Sequence, residues 1–197
     1  MRRSHLRVPD INTFESNSVE RRIVDSAEHL GLDPERSVLV GSAALVLYGV
    51  QLPQVDALLD PSGETVRPKD IDFTVNASYF IELHKNGQTP SGAPVELLDD
   101  NANKQFTILT TKNHSPSHIL PADLLTRYTA DYGSVRQFDR GFQKHFRKHS
   151  TVIPGSNGLR IATPDYLKMS LKSRSVDFKY LDDLRALEAH EIRSRQK

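Results

Sequence analysis

The chain turns a corner at Gly41-Ser42, and that corner constrains the fold more than any other stretch. Ser37 to Val40 is a short β-rich apolar run that stops at the Gly-Ser pair and resumes as Ala43-Ala44-Leu45-Val46-Leu47-Tyr48. This reads as a buried strand entering a helix. The first backbone N–H groups of such a helix have no intrahelical partner, a glycine lets a ligand approach the backbone, and Ser42 adds a hydroxyl. The corner is therefore expected to receive an anion such as phosphate. The second constraint is Asp70-Ile71-Asp72-Phe73-Thr74-Val75. Alternation puts Asp70 and Asp72 on one face of a strand and Ile71 and Phe73 on the other. Two carboxylates that close repel each other unless a cation sits between them. A hard divalent metal, kept partly hydrated and shared with a triphosphate, suits that pair.

Composition narrows the class. A chain of 197 residues with 37% hydrophobic and 26% charged residues is long enough for one domain with a real core. The absence of cysteine removes disulfides, thiolate catalysis and cysteine zinc sites together. No apolar run approaches the roughly 20 residues that span a bilayer, and Met1-Arg2-Arg3-Ser4 leads into no apolar signal core, so a cytoplasmic protein is expected. A net charge of +1 gives no global argument for nucleic acid. Its distribution says more: between residues 136 and 149, Arg136, Arg140, Lys144, Arg147 and Lys148 interleave with Phe138, Phe142 and Phe146. Such a stretch suits a phosphate backbone. The four-residue spacing of the phenylalanines equally suits the buried stripe of a helix with a solvated basic face.

Along the chain, residues 1–16 are polar and aperiodic and read as a flexible N-terminal arm. Ser18 to Gly31 carries a helical stripe between an N-cap serine and a stopping glycine. Asp60-Pro61-Ser62-Gly63 is turn chemistry, which predicts a small hairpin or flap between the two motifs. A helix is expected over 76–84, a short strand over 94–98, and a β-hairpin from the runs 105–111 and 117–125. Two short strands surround the turn near Pro154-Gly155, and Thr163-Pro164-Asp165 opens a helix on which Lys168 and Lys172 share a face. A last helix is predicted from about Asp177 to Arg193. The histidine pairs His114/His118 and His145/His149 lack a third ligand at a suitable spacing and read as solvated.

The order of these pieces, Gly-Ser after one strand and Asp-x-Asp in another, resembles the nucleotidyltransferase superfamily that includes DNA polymerase β and the tRNA CCA-adding enzymes. It is closest in flavour to the AbiEii and MenT-like nucleotidyltransferase toxins. Ser117 to Leu125 resembles the strand that carries the third carboxylate, and 159–168 with 179–187 resembles the family's C-terminal helical pair. The likeness runs from about residue 37 to residue 187. It implies an α+β nucleotidyltransferase fold, a mixed β-sheet flanked by helices, with an N-terminal arm (1–16), a core (17–150) and a C-terminal portion packed on it (151–197).

The resemblance also implies a chemistry. An enzyme of this kind moves a nucleoside monophosphate from an NTP to a hydroxyl acceptor with Mg²⁺. For the toxin branch the acceptor is a tRNA 3′ end and a cognate antitoxin is a partner. Asp70 and Asp72 would hold Mg²⁺, with Asp123 as the third carboxylate. Glu96 is its rival, because Val-Glu-Leu-Leu has the same apolar framing. Gly41 and Ser42 would cradle the phosphates. Lys168, or else Lys172, would neutralise the triphosphate with Asp183 holding the lysine, and Arg67 would be a second-rank phosphate ligand. Where many relatives have Ser or Thr two residues before the first aspartate, this chain has Pro68. Two other functions share the motifs: nucleotide transfer to a protein or small molecule, and an inactive domain that binds nucleotide or a partner.

Overall fold

Ser18 accepts a hydrogen bond from the Arg21 N–H at 3.1 Å and opens helix Val19–His29 (α1), which buries Ile23, Val24 and Ala27. Strand Ser37–Val40 (β1) passes without a loop into helix Gly41–Leu47 (α2), the corner expected from the sequence. Strand Ile71–Val75 (β2) then feeds helix Ala77–Asn86 (α3) through an Asn76 cap. Strands Val95–Leu98 (β3), Thr107–Thr111 (β4) and Ala122–Thr126 (β5) follow. Helix Val135–Phe142 (α4) runs on into a π-helical turn, Gln143–Arg147. Strands Ser150–Val152 (β6) and Arg160–Ala162 (β7) precede the C-terminal helical pair, Pro164–Ser173 (α5) and Phe178–Ser194 (α6). This computed structural model describes residues 6–53, 68–98, 107–111, 119–127, 134–174 and 178–196.

The seven strands form one mixed sheet in the order β3-β4-β5-β2-β1-β7-β6, flanked by the helices, an α+β architecture. At its centre β2 runs antiparallel to β1 and parallel to β5. Side chains alternate along a strand, so residues in register across neighbouring strands share a face. One row, Leu39–Phe73–Leu124–Leu109, is fully buried and is the middle of the core. The next row in sequence, Val40–Asp72–Asp123–Thr110, lies on the opposite face and is only partly covered. An apolar floor thus fixes where the polar row can stand.

Both ends of the chain join the core. Residues 6–14 are packed: Val8 and Ile11 are buried, and the Ile11 N–H donates to the Pro154 carbonyl at 3.0 Å. Gly155, at φ +80°, lets this segment lie against the β6–β7 turn, since a Cβ there would stand 2.9 Å from the Asn12 amide nitrogen. Val8 and Ile11, with the partly buried Leu6 and Phe14, dock this short segment and leave no periodic trace in the sequence. The portion after residue 150, in turn, is part of the sheet itself. Strand β7 pairs in parallel with β1 through Leu39 and Ile161, and the buried Tyr48 hydroxyl donates to the Ala162 carbonyl at 3.1 Å. The flap expected around 60–63 lies outside the described residues.

Candidate active site

Strand pairing assembles the site. Asp72 on β2 stands opposite Val40 on β1 and opposite Asp123 on β5, so the last residue before the Gly41 corner and two carboxylates fall in one row, with strands about 4.8 Å apart. Asp123 lies within a strand, not at a helix start, and its other neighbour is Thr110, whose hydroxyl hydrogen-bonds the carboxylate. Glu96 continues the same row beyond Thr110, two strands removed from Asp123. Asp123 is therefore the acid adjacent to Asp72. Asp70 is exposed in a bend just before β2 rather than inside the strand, yet its charge reaches both Asp72 and Asp123.

The corner and the acids touch. Gly41 has φ +70°, and a Cβ there would stand 3.1 Å from the Asp72 Cγ while overlapping its Oδ2. Glycine is required twice over, by the backbone and by the carboxylate lying against it. The Asp72 carboxyl is pushed up to about 7, first by burial and then by the charges of Asp70 and Asp123, while Lys179 and Arg174 act the other way. Asp123 is also raised, first by burial and then by Asp70, against the lowering effect of Thr110. Three oxygen-bearing acids repel one another beside a corner whose first N–H groups have no partner within the helix. A cation among the carboxylates would ease that repulsion.

Asp183 is buried on α6. Its Oδ2 lies 3.5 Å from the Ser42 hydroxyl, a long hydrogen bond that joins α6 to the start of α2. Lys168 meets Glu191 at 2.9 Å and Glu188 at 3.3 Å, and Lys172 approaches Glu188 at 3.9 Å. Both lysines clasp α5 to α6. The i, i+4 spacing correctly gives the two lysines one face, but that face turns to the partner helix.

The cations that act on Asp72 are Arg174, the residue that ends α5, and Lys179, in the first turn of α6. Both flank the Tyr180 ring, at 5.5 and 5.9 Å from its centroid. Sequence reasoning missed this pair, although one signal was present. A lysine in a helix's first turn works against the helix dipole, and no acid accompanies Lys179 there. Arg67, His114 and His118 lie outside the described residues. His145 is exposed, and His149 is half-buried 6.2 Å from the Tyr166 ring. Phe142 and Phe146 are buried and stacked at 5.2 Å, so they form the apolar stripe of α4 and its π turn.

The donor set of Asp70, Asp72 and Asp123 is all oxygen, which fits Mg²⁺, and a cation there relieves the repulsion that raises Asp72. Among the described residues, no three His, Cys, Asp or Glu side chains are gathered tightly enough to hold a metal by themselves. An ion at this row would draw further ligands from phosphate and water, as Mg²⁺ commonly does. No helix among the described residues is long and apolar enough to cross a membrane. Compared with protein-family models, with curated proteins and with solved structures, the chain matches none.

Proposed function

We propose that this chain is a Mg²⁺-dependent nucleotidyltransferase of the polymerase β-like kind, which transfers a nucleoside monophosphate from an NTP to the 3′ hydroxyl of an RNA such as tRNA. The observation that carries the reading is the register Val40–Asp72–Asp123 across an antiparallel and a parallel pair, with the Asp72 carboxylate against Gly41. The resemblance has those parts in the same order: a strand ending at Gly-Ser, then Asp-x-Asp, then a strand with the third acid. The toxin role and an antitoxin partner rest on the resemblance alone.

In this reading the acceptor oxygen attacks the α-phosphorus, a new P–O bond forms, the bond to the β-phosphate oxygen breaks, and pyrophosphate leaves. Mg²⁺, when bound by Asp70, Asp72 and Asp123, supplies charge neutralisation for the phosphates and lowers the pKa of the attacking hydroxyl. Asp123, whose pKa is raised, accepts the hydroxyl proton. The backbone of Gly41 and Ser42 receives phosphate oxygens, with the Ser42 hydroxyl oriented by Asp183. Arg174 and Lys179 take the charge-neutralising part that the resemblance assigned to Lys168, because their charges are the ones that reach Asp72.

The test is incubation of the purified chain with each α-labelled NTP and Mg²⁺, with and without total RNA. Label on RNA 3′ ends, lost in Asp72→Asn, is the expected result. Label on protein would redirect the acceptor, and absence of label with every acceptor would leave a binding domain without transferase activity.

A further inference from the structure

One helical face outside the site carries a row of cations. Arg136, Arg140 and Lys144, with Asp139, Gln143 and Val135, line an open depression of about 810 Å³ along α4 and its π turn. Arg136, Arg140, Lys144 and the following Lys148 are exposed and have no ion-pair partner among the described residues. Arg147 differs: it is engaged by Glu35. The one acid in the depression is also engaged, since Asp139 accepts the Ser78 N–H at 3.1 Å and caps the start of α3. Its charge is offset there by the positive end of that helix. What remains toward solvent is a row of cations.

This row stands on a rigid support. Phe142 and Phe146 stack beneath it, and Phe146 packs on Tyr166 of α5 with ring centroids 5.0 Å apart. Successive cations four residues apart are spaced by about 6 Å along the axis in the α-helical part. The buried rings have a second consequence. Proteins that grip single strands stack bases on exposed aromatics, and here Phe142 and Phe146 are withdrawn into the core. Phe138 is half-buried, so on this face charge outweighs aromatic surface, a balance that suits sugar-phosphate recognition in a folded, double-helical RNA.

We propose that the exposed face Arg136–Arg140–Lys144–Lys148 is the docking surface for the phosphate backbone of an RNA stem, apart from the residues that perform transfer. The inference rests on the RNA-acceptor reading of the site and adds where and how that acceptor is held. Binding is sequence-independent and salt-sensitive, with log affinity falling against log salt at a slope of about −3 to −4 for four phosphate contacts.

The experiment measures fluorescence anisotropy of a labelled RNA hairpin with an unpaired 3′ tail, across a salt series, on the full chain. Asp72→Asn is expected to bind the hairpin as the parent does, because docking needs no chemistry. Arg136→Glu/Arg140→Glu/Lys144→Glu is expected to lose about 100-fold in affinity at low salt, with an unchanged melting temperature and an unchanged Mg²⁺–NTP thermal shift. The single change Lys144→Gln should flatten the salt slope by about one. Parental hairpin affinity in the triple variant overturns the surface and leaves the transferase reading untouched. Loss of transfer to every acceptor alongside retained, α4-dependent hairpin binding does the reverse. Equal affinity for oligouridylate would overturn the preference for a stem. Displacement of the hairpin by an acidic peptide of equal charge would reassign the face to a protein partner.

Discussion

Lys168, between α5 and α6, has a carboxylate at 2.9 Å and another at 3.3 Å, whereas Asp72, at the Gly41 corner, has two further aspartates as its charged neighbours on the sheet. Both clusters are partly buried, and both lie where elements from distant parts of the chain meet. In the first, opposite charges cancel and the product is a helix pair held in place. In the second, burial and the like charges beside it together push the carboxyl up to about 7, and the cost falls on the stability of the fold. Uncancelled charge of this kind is tolerated where something is to be bound, which is why the aspartate row and not the lysine clasp is the candidate site. The cations repeat the lesson: Lys168 pairs with glutamates between two helices, while the charges of Arg174 and Lys179 reach Asp72.

The largest effect should come from neutralising the acid at the centre. Asp72→Asn is expected to reduce transfer by about 10³-fold or more. Its effect on stability has the opposite sign. The folded chain keeps a proton on Asp72 up to about pH 7, while the unfolded chain releases it in the ordinary carboxylate range, so this group makes stability fall as pH rises between those values and then level off. Asp72→Asn removes that slope, and at pH 8 it should raise the melting temperature by about 3–6 °C for a gain of about 1–2 kcal/mol. A melting series from pH 4 to 9 on both chains checks the sign. A parental slope that rises with pH would mean that Asp72 is not the strained group.

Next comes the floor of the corner. Gly41→Ala must leave the left-handed backbone region and push the Asp72 carboxylate aside. The expected result is a loss of about 10²-fold in transfer with about 2 kcal/mol of stability. If the variant is stable and active, the carboxylate does not rest against this residue during turnover.

The smallest effects discriminate between the two sets of cations. Arg174→Ala and Lys179→Ala are each expected to raise the KM for NTP by about tenfold with little change in melting temperature. Lys168→Ala and Glu191→Gln should do the converse, lowering stability by about 1–2 kcal/mol while steady-state kinetics stay within about threefold of the parent. Kinetic loss in Lys168→Ala without a change in melting temperature would return the triphosphate role to that lysine.

Local chemistry was legible in the sequence wherever it is short-ranged. The caps at Ser18 and Thr163, the strand-to-helix corner at Gly41, the strand through Asp72 and the antiparallel pair that carries Asp123 are written in neighbouring residues, although Asp70 falls in the bend before its strand. The docking of residues 6–14 was not, because two buried side chains, Val8 and Ile11, carry it without periodicity. Neither was the partner of Lys168. Helical spacing tells which residues share a face but not what that face meets, and Glu191 is 23 residues away.

Read alone, the order of residues determined that a glycine corner and an aspartate pair would each form, since turn, strand and cap preferences act over a few bonds. Only the sheet decided that they form one place. Pairing β1 with β2 and β2 with β5 is a long-range matter of burying Leu39, Phe73 and Leu124 on one face, and once those rows are fixed, alternation delivers Asp72 and Asp123 together on the other. The same packing of α5 on α6 brought Lys168 to the glutamates and left Arg174 and Lys179 near enough for their charges to reach Asp72, a choice made by the contacts between helices.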